Sequence, residues 1–345
     1  MRKFFLILYA SLLIPSPRAE AQARFRVMAW NVENLFDTRH DTLKNDHEFL
    51  PQAYRHWTYT RYRQKLDNVA RVIAALGEWE APALVALCEV ENDTVLIDLT
   101  RHSPLKEWRY RFVSTHSPDP RGIDVALLYQ RDRFKLLSSR SIRIAPLGRH
   151  HRTRDLLHAS GLLLTGDTLD IIVCHLPSRT GGVKESAPYR DFVASRIRAE
   201  ADSLLHARYH PQLIILGDFN DYPSSSSIRK VLQAVAPPTQ PAALSLYHLP
   251  NPRATQNVRG SYKYRGRWEL IDHILVSGTL LDTTSSFFTS DELSGIFAPP
   301  FLLVADPEHD GLQPFRTYKG MKYQGGYSDH LPVYADFIDN NNSEL

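Results

Sequence analysis

Short apolar runs separated by polar, glycine- and proline-containing stretches set the rhythm of this chain. Eight of them have strand length and strand composition: residues 25–30, 83–88, 123–129, 161–164, 169–174, 213–216, 270–276 and 331–337. Two segments show helical spacing instead. One, over 65–76, places Leu66, Val69, Val72 and Ile73 on a single face, and the other runs from about 189 to 206. No composition break, Gly/Ser linker or fixed-period repeat divides the chain, so the pattern predicts one α/β domain over residues 24–345. The irregular stretches 39–59 and 291–326 are expected to form long surface loops that shape a site.

The N-terminus stands apart. Arg2 and Lys3 precede an apolar run over 4–14, and Ala21-Gln22-Ala23 offers small-residue cleavage, so residues 1–23 read as a signal peptide and the protein as secreted or periplasmic. The run is shorter than the roughly 20 residues that span a bilayer, and no cysteine follows it; no stable membrane anchor is expected. Loss of Arg2, Lys3, Arg18 and Glu20 leaves 38 basic against 37 acidic residues, so global charge names no partner and a nucleic-acid ligand would have to be met by local patches. The two cysteines, Cys88 and Cys174, exclude a disulfide framework; strand alternation turns both thiols away from the neighbouring polar residues and into the core, and a bridge between them stays open. A monomer is expected.

Chemistry concentrates where strands meet loops. Asn31 and Glu33 follow the first strand, and Glu89, Glu91 and Asn92 the second. His175, Ser178 and Arg179 follow a later one; then come Asp218-Phe-Asn220, Asp272-His273 and Ser328-Asp329-His330. Strand alternation would point Asp218 and Asn220 the same way, although an ordinary Asx-rich turn explains that pair equally well. Carboxylates with an amide suit Mg²⁺ or Mn²⁺ bound beside a phosphate. Zinc is disfavoured, because no His-Glu-x-x-His and no structural-zinc spacing occurs. His150-His151, within the basic stretch 149–154, reads as a solvated or phosphate-contacting loop. Neither a serine nucleophile elbow nor a Walker A loop is present.

Taken together and in order, these six motifs resemble the endonuclease/exonuclease/phosphatase superfamily over nearly all of the mature chain, most closely its exonuclease III-like and deoxyribonuclease-like branches. The resemblance implies a four-layered α/β sandwich, two packed mixed β-sheets flanked by helices, with a cleft at one sheet edge. It implies Glu89 as principal divalent-metal ligand with Asn31 and Asp329 beside it, Asp218 to orient or deprotonate the attacking water, and Asn220 to hold the phosphate. It implies His330 against the scissile phosphate, Asp272 fixing its tautomer, and His175 protonating the leaving oxygen. Glu33 stands where exonuclease III-like members carry Asp, and His273 where many have an aromatic residue. No carboxylate partner for His175 is identifiable. Arg121, in Arg121-Gly-Ile-Asp124, and Arg179 are candidates to clamp phosphate oxygens.

The substrate is less constrained. Residues 262–268 alternate aromatic and basic side chains around a glycine and read as a hairpin beside the cleft, either a stacking surface for nucleic acid or a hairpin with an exposed cationic face. Trp57, Tyr59 and Arg61 make a weaker case of the same kind, and Trp30 and Trp268 read as core aromatics. The leading expectation is an exported nuclease dependent on Mg²⁺ or Mn²⁺. A phosphatase or a sphingomyelinase/phospholipase C-type phosphodiesterase acting on phospholipid or a phosphorylated small molecule is the alternative, with the apolar segment 295–304 as a possible lipid wedge. A non-catalytic surface binding module is the third reading, disfavoured because no core catalytic position is lost.

Overall fold

The computed structural model describes residues 23–145, 152–249 and 258–339. The expected signal peptide, apart from Ala23, and residues 149–151 of the basic stretch lie outside them. Strands in chain order are β1 (Ala23–Leu35), β2 (Leu84–Val90), β3 (Arg111–Ser114), β4 (Asp124–Tyr129), β5 (Lys135–Ile142), β6 (Leu156–Leu162), β7 (Thr168–His175), β8 (Gln212–Asp218), β9 (Leu246–His248), β10 (Tyr262–Tyr264), β11 (Arg267–Glu269), β12 (Asp272–Ser277), β13 (Phe287–Phe288), β14 (Ser294–Ile296), β15 (Leu303–Ala305), β16 (Leu312–Pro314), β17 (Tyr318–Lys319), β18 (Lys322–Tyr323) and β19 (Val333–Asp339). The helices are α1 (Tyr59–Gly77), α2 (Asp93–His102) and α3 (Val183–Ala207).

Two sheets carry the fold. One has the order β13-β19-β1-β2-β4-β3, with β14 also on β19; the other runs β5-β6-β7-β8-β12-β9. Each is antiparallel except for one central parallel pair, β1 with β2 and β7 with β8. Alternation decides which side chains fill which layer. Ile171 and Val173 of β7, with Ile214 and Leu216 of β8, join Val27 and Ala29 of β1 between the sheets. Their neighbours Ile172, Cys174, Leu213 and Ile215 pack instead against Val193, Ala194, Ile197 and Ala201 of α3. On the other flank, α1 buries Leu66, Val69, Val72, Ile73 and Leu76. The product is the four-layered α/β sandwich with two mixed sheets.

Several local expectations shift. The first helix begins at Tyr59, where the Thr58 side chain accepts the Arg61 amide, and α3 begins at Val183. The run 161–164 is only the tail of a strand that starts at Leu156. The Asn92 side chain accepts the Val95 amide and starts α2, which the apolar pattern did not announce. Cys88 and Cys174 are buried free thiols. They face opposite sides of the second sheet, Cys174 toward α3 and Cys88 into the layer between sheets, where its Sγ lies 3.4 Å from the Cys174 carbonyl oxygen. Segment 295–304 is not a wedge, since Ile296, Ala298, Leu302 and Leu303 are buried in the main core. No helix among the described residues is long and apolar enough to cross a membrane.

Candidate active site

Sheet register assembles the centre of the site. Asp218 ends β8, and its Cα pairs with His175 at the end of β7 on one side and with Asp272 at the start of β12 on the other. Three chemically active side chains therefore stand in one row at one edge. The residue before Asp218 must be glycine. Gly217 has φ +139°, and a Cβ there would collide with the Cys174 carbonyl oxygen of the neighbouring strand. The expected alternation of Asp218 with Asn220 does not hold, because the strand stops at Asp218. Asn220 adopts φ 51°, its amide N–H donates to Asp218 Oδ1 at 2.9 Å, and its Nδ2 donates to the Leu176 carbonyl at 3.1 Å. The Asx turn and the site are the same object.

The facing sheet adds the other wall. Asn31 Nδ2 donates to Asp218 Oδ2 at 3.0 Å, and Asn31 Oδ1 accepts the Glu33 amide. Asn31 is the Cα partner of Cys88, so Asn31 and Glu89 leave adjacent strands at nearly one level, and register irregularities in both strands re-aim the residues that follow. Glu33, Asn34 and Glu89 all lie at positive φ (52°, 55° and 65°). Such conformations are costly for these residues and cluster at functional rims. The segment 328–330 comes before β19, not after a strand, and antiparallel pairing with β1 returns it to the same edge. It is pinned there. Trp30 Nε1 donates to the His330 carbonyl at 2.9 Å, and Ser328 Oγ donates to the Asn31 carbonyl at 2.6 Å.

Electrostatics divides the roles. His330 Nδ1 is 2.8 Å from Asp272 Oδ2, an oxygen that also accepts from Ser261 Oγ at 2.5 Å, while His330 Nε2 is 4.0 Å from Asp218 Oδ2. Burial alone would lower the His330 pKa, but the charges of Asp272 and Asp218 outweigh it and raise it to about 10. Burial, then the charge of Asp272, raises Asp218 to about 7 against the pull of His330, Asn31 and the Asn220 amide. His175 Nε2 lies 3.4 Å from Asp218 Oδ2, and its buried Nδ1 has no protein partner. Burial, with the positive charges of Arg154, Arg121 and His330, holds His175 well below the usual imidazole range.

The other sequence candidates separate. Glu33 turns inward: its carboxylate accepts the amides of Thr317 at 2.6 Å and Tyr318 at 3.1 Å, so it supports the 316–318 loop. Arg121 is exposed at the rim, 3.7 Å from Glu89 and hydrogen-bonded to Asn34 Oδ1. Arg179 is engaged, paired with Glu269 and stacked over the Tyr222 ring. Asp124 is buried under Thr115 and Ser117 and faces no cleft. His273 Nδ1 meets His248 Nε2 at 2.8 Å and its Nε2 donates to the Asp221 carbonyl, a buried structural pair. Trp57 is core, Lys263 is tied to Asp306 at 2.9 Å, and Arg154 is buried against Asp119 and the Leu176 carbonyl.

Lys65 was not singled out from sequence. It is fully buried behind the site, with Nζ 2.6 Å from Thr317 Oγ1 and 2.5 Å from the Tyr327 carbonyl. Its signal was present, a lysine on the apolar stripe of α1. Burial, opposed by Glu33, Asp329 and Glu89, lowers its pKa to about 8. Arg316, which holds Asp329 Oδ2 at 2.7 Å, sits in an irregular loop and left no such mark.

Two sets of donors compete for a cation. Ligand atoms of Asp218, Asp272 and His330 lie within 4.8 Å of one another. Their bonding argues against a metal cage, because His330, held through Nδ1 by Asp272, keeps the proton that a ligating imidazole must give up. Glu89 uses Oε2 for the Asn34 amide and turns Oε1 toward the rim; Asn31 Oδ1 and Asp329 each keep acceptor capacity. These hard oxygens fit Mg²⁺ or Mn²⁺, which retain waters and bind few protein ligands.

The fold is shared by solved structures of low sequence identity. A Bacteroides thetaiotaomicron endonuclease/exonuclease/phosphatase family protein matches at 14% identity and TM-score 0.58, over 92% of this chain and 98% of that one. Its Bacteroides vulgatus counterpart matches at 16% and 0.57, over 92% and 99%. The human Nocturnin catalytic domain, solved with bound sulfate, matches at 18% and 0.52, over 91% and 94%. No curated protein sequence matches. The family model for the Endonuclease/Exonuclease/phosphatase family matches residues 26–338, a span that holds all but the outer ends of β1 and β19 and every residue of the rim just described. Members of that family are hydrolases of phosphate esters and generally use divalent metals. The chain belongs to the endonuclease/exonuclease/phosphatase family.

Proposed function

We propose that this protein is an exported, Mg²⁺- or Mn²⁺-dependent phosphodiesterase that cleaves nucleic acid by attack of an activated water. The observation that carries the reading is the register row His175–Asp218–Asp272, closed from the facing sheet by Asn31 and His330. Asn31, Glu89 and Asp329 would hold the cation, which when bound polarises a phosphate oxygen and neutralises charge. Asp218, raised to about 7, accepts the proton of the attacking water near neutral pH. Asn220 keeps one side-chain N–H beyond the one given to Leu176 and offers it to a phosphate oxygen. His330 stays protonated, fixed through Nδ1 by Asp272, and presents Nε2–H to the phosphate. Because His175 is held neutral, His330 is the imidazole with a proton to give to the departing oxygen, and His175 orients Asp218 and the water.

Nucleic acid is favoured by the hairpin of β10 and β11. Tyr262 lies with its ring centroid 4.8 Å from that of His330, so the hairpin borders the reacting centre. Arg265 (φ 47°) and Gly266 (φ 78°) form its two-residue turn, both left-handed as such a hairpin requires. Tyr264, Arg265 and Arg267 are exposed on it, a stacking and cationic surface. Burial of segment 295–304 removes the feature that had supported a lipid substrate. Export rests on Arg2, Lys3, the apolar run and Ala21-Gln22-Ala23. The test is a panel of linear DNA, circular DNA, RNA, sphingomyelin and phosphoinositides with Mg²⁺, Mn²⁺ or EDTA. Polynucleotide cleavage abolished by EDTA is expected; hydrolysis of lipid alone, or of nothing under either metal, overturns the proposal.

A further inference from the structure

A second group of metal-type side chains lies outside the catalytic row, in the loop after β1. His40, Asp46 and His47 present ligand atoms within 4.8 Å of one another. Asp46 is 1% exposed, yet both imidazoles are open to solvent. Asp46 precedes a 3₁₀ turn over His47–Phe49 but its carboxylate does not cap that turn. It points the other way: Oδ2 accepts the Asp41 amide at 2.7 Å, and Oδ1 stands 2.5 Å from His40 Nδ1. The two imidazole rings face each other with centroids 4.4 Å apart at 33°. A buried carboxylate flanked by two converging imidazoles, one of its oxygens anchored by a backbone amide, is the arrangement of a metal site with an oriented ligand.

We infer that His40, Asp46 and His47 form a second cation site, selective for a borderline transition ion such as Zn²⁺ and distinct from the catalytic Mg²⁺ or Mn²⁺ site. Two nitrogens and one carboxylate oxygen suit that class, whereas magnesium prefers an all-oxygen shell. Three protein ligands leave further positions to water. The sequence contains no zinc motif, because the ligands come from one irregular loop whose folding alone brings positions 40 and 46 together.

The site has a reason to be where it is. Its loop packs on the segment 115–122 through the Asn45 amide to the Pro120 carbonyl at 2.8 Å, and through Lys44 Nζ to the carbonyls of Ser117 at 2.7 Å and Asp119 at 3.1 Å. That segment carries Arg121 to the rim beside Glu89. A bound ion would brace the loop and, through it, Arg121.

The full mature chain, stripped of metal and held in millimolar Mg²⁺ to fill the catalytic site, is titrated with Zn²⁺ against a chromophoric chelator, with thermal unfolding as a second readout. One Zn²⁺ equivalent and a rise in Tm are expected. His40→Ala, His47→Ala and Asp46→Asn should each weaken binding at least 100-fold and abolish the Tm rise. His47 is exposed, so His47→Ala should melt in EDTA as the wild type does and separates lost binding from lost folding. The inference fails if no equivalent binds in the presence of Mg²⁺, or if the histidine variants bind Zn²⁺ as the wild type does. It also fails if Glu89→Gln, rather than His40→Ala, removes the equivalent.

Discussion

Replacing Asp218 by Asn sets stability against catalysis in one residue. In the metal-free wild type the carboxyl is buried, and its pKa rises from 3.8 to about 7, through burial first and the charge of Asp272 second. Between those values the native state keeps a proton that the unfolded chain has released. Stability therefore falls as pH rises through that window and levels off above it, a loss of ~4 kcal/mol at full ionisation. Asparagine carries no such loss. It has one acceptor oxygen where Asp218 uses two, one for Asn31 Nδ2 and one for the Asn220 amide. One donor left facing an N–H costs ~1–3 kcal/mol. The variant should lie level with the wild type or up to ~2 kcal/mol below it at pH 4.5 and exceed it by ~1–3 kcal/mol at pH 8, while turnover falls ~10²–10⁴-fold. Urea unfolding in EDTA at pH 4.5, 6 and 8, paired with cleavage assays in Mg²⁺, measures both. A stability difference independent of pH, a variant weaker than wild type at pH 8, or retained turnover refutes the reasoning.

Other outcomes follow from the same contacts. His330 is raised from 6.5 to about 10, so its contribution to stability is complete below 6.5 and disappears as pH climbs through 10. Asp272→Asn should flatten that alkaline loss in urea titrations and move the alkaline limb of the rate profile to lower pH. Lys65→Met removes one of two cationic neighbours of buried Glu33, the other being Arg316 at 3.8 Å, and strips Thr317 Oγ1 and the Tyr327 carbonyl of their donor; it should cost ~1–3 kcal/mol, with Lys65→Met/Glu33→Gln less damaging than the two single costs combined in a double-mutant cycle. Gly217→Ala forces a left-handed position and a backbone collision between β7 and β8; soluble yield and Tm should both collapse, and a folded variant of near-wild-type Tm contradicts the register argument.

Most strands were legible from sequence because they are unbroken apolar runs with polar residues where they meet a loop; period and length located seven of them and only the tail of β6, while the largely exposed edge strand β5 carries no such run and was missed. Helix α2 was not legible either. It is short, and its start at Asn92 looks like a turn until the side chain is seen accepting the Val95 amide. Asn31, Glu89, His175, Asp218, Asp272, Asp329 and His330 could be picked out because loop-flanking polar residues recur in one pattern, and the sandwich brings them to one edge. What supports them was largely silent. Ser261 under Asp272, Arg316 on Asp329 and Lys65 on Thr317 act across separations of 11, 13 and 252 residues, and only the lysine disturbed a local pattern. Asp46 and its two histidines were invisible for the same reason, since an irregular loop has no period to read.

The pairing of His175 and Asp218 through sheet register has an evolutionary and an engineering consequence. Their spacing is written in backbone hydrogen bonds of the innermost strands, so no change in a rim loop can pull them apart. The loops and the 262–269 hairpin contribute almost nothing to that alignment. They are free to be lengthened, exchanged or redesigned for a different phosphate ester, with the reacting pair left at a fixed distance by strands that cannot slip one residue without turning the whole core inside out.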